Sequence, residues 1–95
     1  MKKLKKGEFT LRTEAGFHAR PAGIFSKLAS QFEAKLILLK NNNQNKEYNP
    51  KSIISIMTMA AVKGDTITII ANGNDEKEAV NALLNLVNSN FELAN

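Results

Sequence analysis

The segment Gly16-Phe17-His18-Ala19-Arg20-Pro21 carries the side chains of this sequence best suited to covalent chemistry. Histidine is the side-chain type whose proton exchange ordinarily falls near neutral pH, and the chain has one, His18, with no cysteine to compete as a nucleophile. Two residues on, Arg20 supplies a permanently charged, forked donor of the kind that holds phosphate. Phe25, Leu28, Ala29 and Phe32 follow at i, i+3, i+4 and i+7, which predicts a helix from about Ala19 to Phe32. Pro21 has no backbone N–H and is tolerated only in a first helical turn, so the helix starts two or three residues before it and His18 falls at or beside the N-cap. A phosphoryl group on that imidazole would meet free backbone N–H groups and the positive end of the helix dipole. Imidazole, helix start and arginine together describe a site that accepts, holds and releases phosphate. An isolated histidine at a helix start also serves as a surface or capping residue, and the residues alone leave both readings open.

The elements that must position this segment fit one domain spanning residues 1–95, large enough for a modest core without staples. Without cysteine there are no disulfides or thiolate metal sites, which fits a reducing compartment, and a lone histidine argues against any metal site. No window offers the roughly 20 apolar residues of a membrane span, and the basic start has no apolar run after it, so the expectation is a soluble, cytoplasmic protein without a signal peptide or membrane insertion. The net charge of +4 owes much to four lysines among the first six residues. Residues 1–7 therefore read as a frayed basic terminus, although basic charge also speeds encounter with acidic proteins.

Glu8 to Thr13 alternates, with Phe9 and Leu11 on one face, as a half-buried first strand does, and Gly16 supplies backbone freedom in the turn presenting His18. Leu36 to Leu39 form the apolar run of a second strand over Ala34–Lys40. Asn41–Asn45 read as a hairpin tip without a function of its own, with Lys46–Asn49 as a short return strand. Ser52 is the expected N-cap of a second helix with Ile53, Ile56, Met57 and Ala60 along one face; Lys63-Gly64-Asp65 ends it. Thr66–Ala71 is β-branched and strand-like. Asn72–Asp75 turns into and caps a last helix whose stripe is Ala79, Val80, Leu83, Leu84, Leu86 and Val87, and which contributes stability rather than chemistry. The order is βαββαβα; periodicity does not give the pairing.

Gly16-Phe17-His18-Ala19-Arg20-Pro21-Ala22 resembles the active-site signature of HPr, the histidine-containing phosphocarrier of the bacterial phosphoenolpyruvate:sugar phosphotransferase system, in which Gly-aliphatic-His-Ala/Ser-Arg-Pro-Ala is a specific motif. Lys51-Ser52-Ile53-Ile54-Ser55-Ile56-Met57 is similar to the second HPr signature, and the likeness runs from about Glu8 to the last helix. The resemblance implies an α/β (α+β) open-faced sandwich, a four-stranded antiparallel sheet covered on one face by three helices. It makes His18 the phosphoryl acceptor through Nδ1, with Arg20 and the Ala19 backbone N–H stabilising the group, and Ser52 a site of regulatory phosphorylation. It further implies that Ile53, Ile54 and Met57 form an exposed apolar docking patch bordered by Ala22 and Lys27. The implied partners are enzyme I as donor, sugar-specific IIA proteins as acceptors, an HPr kinase/phosphorylase and a transcriptional regulator. The protein is then a cofactor-free covalent carrier and not an enzyme with its own turnover. Nothing demands more than a monomer.

Phe17, Gly23, Ser55 and Ala60 depart from the family pattern, and the Asn41–Asn45 tract is longer than usual; none of these removes a reacting group. Two rival readings are a non-carrier regulatory paralogue using Ser52 alone, which would not need the imidazole, and a small basic nucleic-acid-binding module. The latter needs aromatic residues on an exposed sheet face, whereas the only tyrosine is Tyr48 and the phenylalanines lie mostly on core stripes.

Overall fold

The computed structural model describes residues 4–91. Three strands, β1 (Lys5–Thr10), β2 (Lys35–Lys40) and β3 (Thr66–Asn72), alternate with three helices, α1 (Ala19–Ala29), α2 (Ile53–Met59) and α3 (Glu76–Asn88). The sheet is antiparallel throughout, in the order β1-β3-β2. Cross-strand rows Lys5–Ala71–Leu36, Gly7–Ile69–Leu38 and Phe9–Ile67–Lys40 lie on one face. Buried residues of these rows share a single core with Ala22, Phe25 and Ala29 of α1, Ile56 and Met59 of α2, and Ala79, Val80, Leu83 and Leu86 of α3. Lys40 and Lys5 are the charged members of the inward rows; the Lys40 ammonium reaches the Met59 carbonyl at 2.8 Å and satisfies an orphan acceptor at the end of α2.

The sheet has three strands where four were expected. The predicted return strand contributes a single bridge, in which Leu38 and Tyr48 exchange backbone hydrogen bonds of 2.8 and 3.0 Å. Its neighbours are committed elsewhere: the Lys46 N–H turns back to Asn43, the Asn49 N–H donates to Ser55 Oγ, and Pro50 has no N–H to give. The Asn tract is also more than a hairpin tip. Asn41, at φ 53°, accepts from the Thr66 N–H through its side chain and donates to Asp65, tying the end of β2 to the start of β3.

Other boundaries move for local reasons. β1 begins at Lys5, so residues 5–7, assigned above to a frayed terminus, pair with Ala71, Ile70 and Ile69; residues 1–3 of that terminus lie outside the described residues. α1 stops at Ala29 and its last turn is completed by bonds from Gln31 and Phe32. α2 ends at Met59 rather than near Lys63, because Ala60 turns left-handed (φ 53°, ψ 40°) and closes the helix in the position glycine usually fills. α2 buries Ile56 and Met59 and leaves Ile53, Ile54 and Met57 exposed, as the resemblance implies; of the stripe read along one face, Ile56 is buried while Ile53, Met57 and Ala60 are exposed.

Asp75 precedes α3 but makes no side-chain cap to it. Its two carboxylate oxygens accept from the Glu33 and Ala34 N–H groups, each at 2.8 Å, clamping the entry to β2. The Glu33 bond leads the causes that hold its pKa below the usual 3.8. A depressed folded-state pKa stabilises the fold above the unfolded value and stops doing so as pH falls through the folded value. Asp75→Asn is therefore expected to melt below wild type at about pH 7, with the gap closing as pH falls below 3.8 and the wild-type carboxylate protonates. A gap that is constant across thermal melts over this range would exclude the charge as the source.

Candidate functional site

His18 occupies the N-cap of α1 with extended backbone (φ −80°, ψ −174°), and its carbonyl accepts the first helical bond from Ala22 N–H at 3.0 Å. The imidazole is exposed and makes no cap bond, so its nitrogens are uncommitted. Ala19 and Arg20 are the first helical residues, whose N–H groups have no intrahelical acceptor, and Pro21 fills the next position without one. Arg20 is exposed and has no carboxylate partner among the described residues, where the ion pair found is Lys63–Glu14 at 2.6 Å. Neither α1 nor α2 carries an acidic residue.

The turn before His18 is held from behind. Gly16 takes φ +61°, and its N–H returns to the Thr13 carbonyl at 3.0 Å. Phe17 N–H then donates to the Ala61 carbonyl at 3.1 Å, docking the turn on the segment that follows α2. The Phe17 ring is buried against Phe25 and Phe91 at centroid distances of 5.2 and 5.4 Å. His18 is thus the first exposed residue after an anchored pair. A depression of about 240 Å³ beside it is lined by His18, Arg20, Thr13, Ile24, Asn90 and Phe91. The chain just past α3, for which the sequence suggested no role, therefore reaches the site. Sequence reasoning missed Phe91 because it lies beyond the α3 stripe. Two consecutive left-handed residues, Asn90 (φ 61°) and Phe91 (φ 64°), fold it back, and no glycine marks that turn.

Ser52 caps α2, its hydroxyl accepting from the Ser55 N–H at 3.2 Å. On α2, Ile53, Ile54 and Met57 are 45%, 78% and 44% exposed and form an apolar surface. Lys27 on α1 is exposed, as expected of a border residue. Ala22 is not: it is fully buried in the core, because the turn that directs His18 outward directs Ala22 under the helix, and it cannot contact a partner. Its neighbour Gly23 is the residue that faces Ile53. No helix among the described residues is long and apolar enough to cross a membrane, and no group of three or more potential metal ligands occurs among them.

Fold and site define a class: a small α+β carrier domain that displays a free histidine and an unpaired arginine at a helix start. A family model described as the PTS HPr component phosphorylation site matches residues 5–89, and the chain belongs to that family, whose members are phosphocarriers of the phosphotransferase system and not enzymes. It is 37% identical over 86 residues to the phosphocarrier protein HPr of Neisseria meningitidis serogroup A, covering 90% of this chain and 93% of that one. It is 41% identical over 80 residues to the HPr-like protein Crh of Halalkalibacterium halodurans, covering 84% and 89%. The crystal structure of HPr-C-His from Thermoanaerobacter tengcongensis superposes with a TM-score of 0.83 at 36% identity, over 94% of this chain and 99% of that one.

Proposed function

We propose that this protein accepts a phosphoryl group on His18 from phosphorylated enzyme I and passes it to sugar-specific IIA proteins. The observation that carries the reading is the exposed, hydrogen-bond-free imidazole at the start of α1 beside an unpaired Arg20. A lone pair on Nδ1 of neutral His18 attacks the phosphorus of the donor's phosphohistidine; the new N–P bond forms as the old one breaks, and the donor imidazole leaves. Arg20 and the Ala19 N–H compensate charge on the phosphoryl oxygens, mainly by position. The hold is moderate, because these donors are solvent-exposed, and a group held too tightly could not move on. Purified protein incubated with phosphoenolpyruvate, Mg²⁺ and enzyme I should gain one acid-labile, base-stable phosphate that maps to His18. No uptake from an enzyme I that charges another HPr would overturn the assignment.

Ser52 is the proposed regulatory site, and the Crh relatives favour this second use of the surface. Phosphorylation there by an HPr kinase/phosphorylase adds about two negative charges next to Ile53, in a region with no carboxylate on either neighbouring helix. Kinase treatment is expected to modify Ser52 and to slow phosphoryl transfer from enzyme I by about 10–100-fold. Mass spectrometry placing the phosphate elsewhere, or unchanged transfer by the modified protein, would refute this. The phosphoserine form is the one a transcriptional regulator would read. His18 and Arg20, both free and exposed, count against a purely regulatory role, and the absence of aromatic residues on the outer sheet rows counts against nucleic acid. A cytoplasmic, monomeric protein fits the relay.

A further inference from the structure

Four of the five glycines have a structural reason to lack a side chain. A Cβ on Gly7 would lie 2.6 Å from Val80 Cγ1, one on Gly73 2.7 Å from Ala34 Cα, and one on Gly16 2.9 Å from Val62 Cα, while Gly64 takes φ +95°. Gly23 has none of these reasons. It sits inside α1, its φ lies outside the left-handed region, and the one atom a Cβ would meet is Ile53 Cδ1 at 4.0 Å. Glycine inside a helix destabilises it relative to alanine, so the fold would be better served by a side chain here. The surface around the gap is informative. Arg20 and Lys27, at i−3 and i+4, flank Gly23 on the same strip of α1, and both are exposed. Across from it stands Ile53, at the edge of the exposed apolar surface of α2. Gly23 lies about 7.5 Å along the helix axis from His18, close enough for a protein docked on the imidazole to extend over it.

We propose that Gly23 is a specificity-determining gap: it admits an apolar side chain of the phosphoryl-donor protein, packed against Ile53 between Arg20 and Lys27. The inference rests on the carrier reading above. The donor is the chosen occupant because it arrives bearing the phosphoryl dianion, to which α1 presents Arg20 and Lys27 while neither α1 nor α2 carries a carboxylate. An acceptor meets the surface after the phosphate on His18 has offset part of that charge. Gly23 touches no reacting atom, so its effect belongs in KM.

The test is steady-state phosphorylation of the full chain by enzyme I and phosphoenolpyruvate, with Gly23→Leu to fill the gap and Gly23→Ala to add one methyl. Gly23→Leu is expected to raise KM for the carrier about tenfold with kcat retained. Gly23→Ala is expected to raise KM about threefold while its melting temperature rises by about 4 °C, which separates docking from folding. Hydrolysis of the phosphohistidine should be the same in all three proteins. If wild type is charged and Gly23→Leu shows wild-type KM, the gap is overturned and the carrier reading stands. If onward transfer to a IIA protein slows as much as loading, the assignment to the donor is overturned. Should wild type take no phosphate from an enzyme I that charges another HPr, both readings fall together.

Discussion

His18→Ala is expected to take up no phosphate from enzyme I, at any donor concentration or incubation time. The expectation follows from the role, not from the size of the change. A residue that merely stabilises charge in a transfer costs about 10²–10³-fold when removed, and a slow reaction remains. Removing the atom that forms the bond leaves no reaction, and this chain holds no other histidine and no cysteine to substitute. The variant should also be well folded. The imidazole is exposed, caps nothing and packs under nothing, so truncation falls among surface changes of within about 0.5 kcal/mol, a shift of no more than about 4 °C in melting temperature. Loss of uptake in a protein with wild-type melting therefore isolates chemistry from structure. Kinase-dependent modification of Ser52 in the same variant should continue, since its cap is built from α2 alone. Acid-labile phosphate on His18→Ala would move the acceptor elsewhere and sink the relay as drawn.

The start of α1 was legible because a proline in a first turn leaves few placements: Pro21 and the Phe25–Ala29 spacing put His18 at the N-cap, where it is found. The three strands were legible from apolar alternation and β-branching. What the sequence could not show is where backbone groups go when several acceptors compete. Lys46–Asn49 has strand-compatible residues, yet Ser55 Oγ takes the Asn49 N–H and leaves one bridge. α2 was read through to a cation and a glycine, the usual stop, but Ala60 adopts the left-handed turn four residues earlier. Within the shorter helix Ile56 and Met59 face the core, and Ile53 and Met57 lie on the exposed surface that the second signature implies. Asp75 looked like a cap and is a clamp on residues 33–34, a long-range use that spacing does not encode. Ala22 and Gly23 are adjacent and both small, and only the direction of the helix decides which meets Ile53.

Gly16→Ala is expected to be the most damaging single-methyl change near the site, and the reason is separable from glycine's conformational freedom. An alanine at φ +61° carries the left-handed penalty of about 1 kcal/mol. Its Cβ would in addition clash with the Ala61 carbonyl oxygen and lie 2.9 Å from Val62 Cα, both backbone atoms that cannot rotate away. Relief requires the 13–17 turn to move off residues 61–62, which breaks the Phe17 N–H bond to Ala61. Overpacking of this kind adds about 1–3 kcal/mol, for a total of about 2–4 kcal/mol and a fall in melting temperature of about 10 °C or more. Gly64→Ala is the matched control: its φ is +95°, but nothing lies within 4 Å of an added Cβ, so it carries the conformational penalty alone, about 1 kcal/mol. Equal losses in the two variants would mean that backbone conformation is all Gly16 provides. A larger loss at Gly16, with slower phosphoryl uptake in the molecules that remain folded, would show that the contact with Ala61 is what presents His18 to its partners.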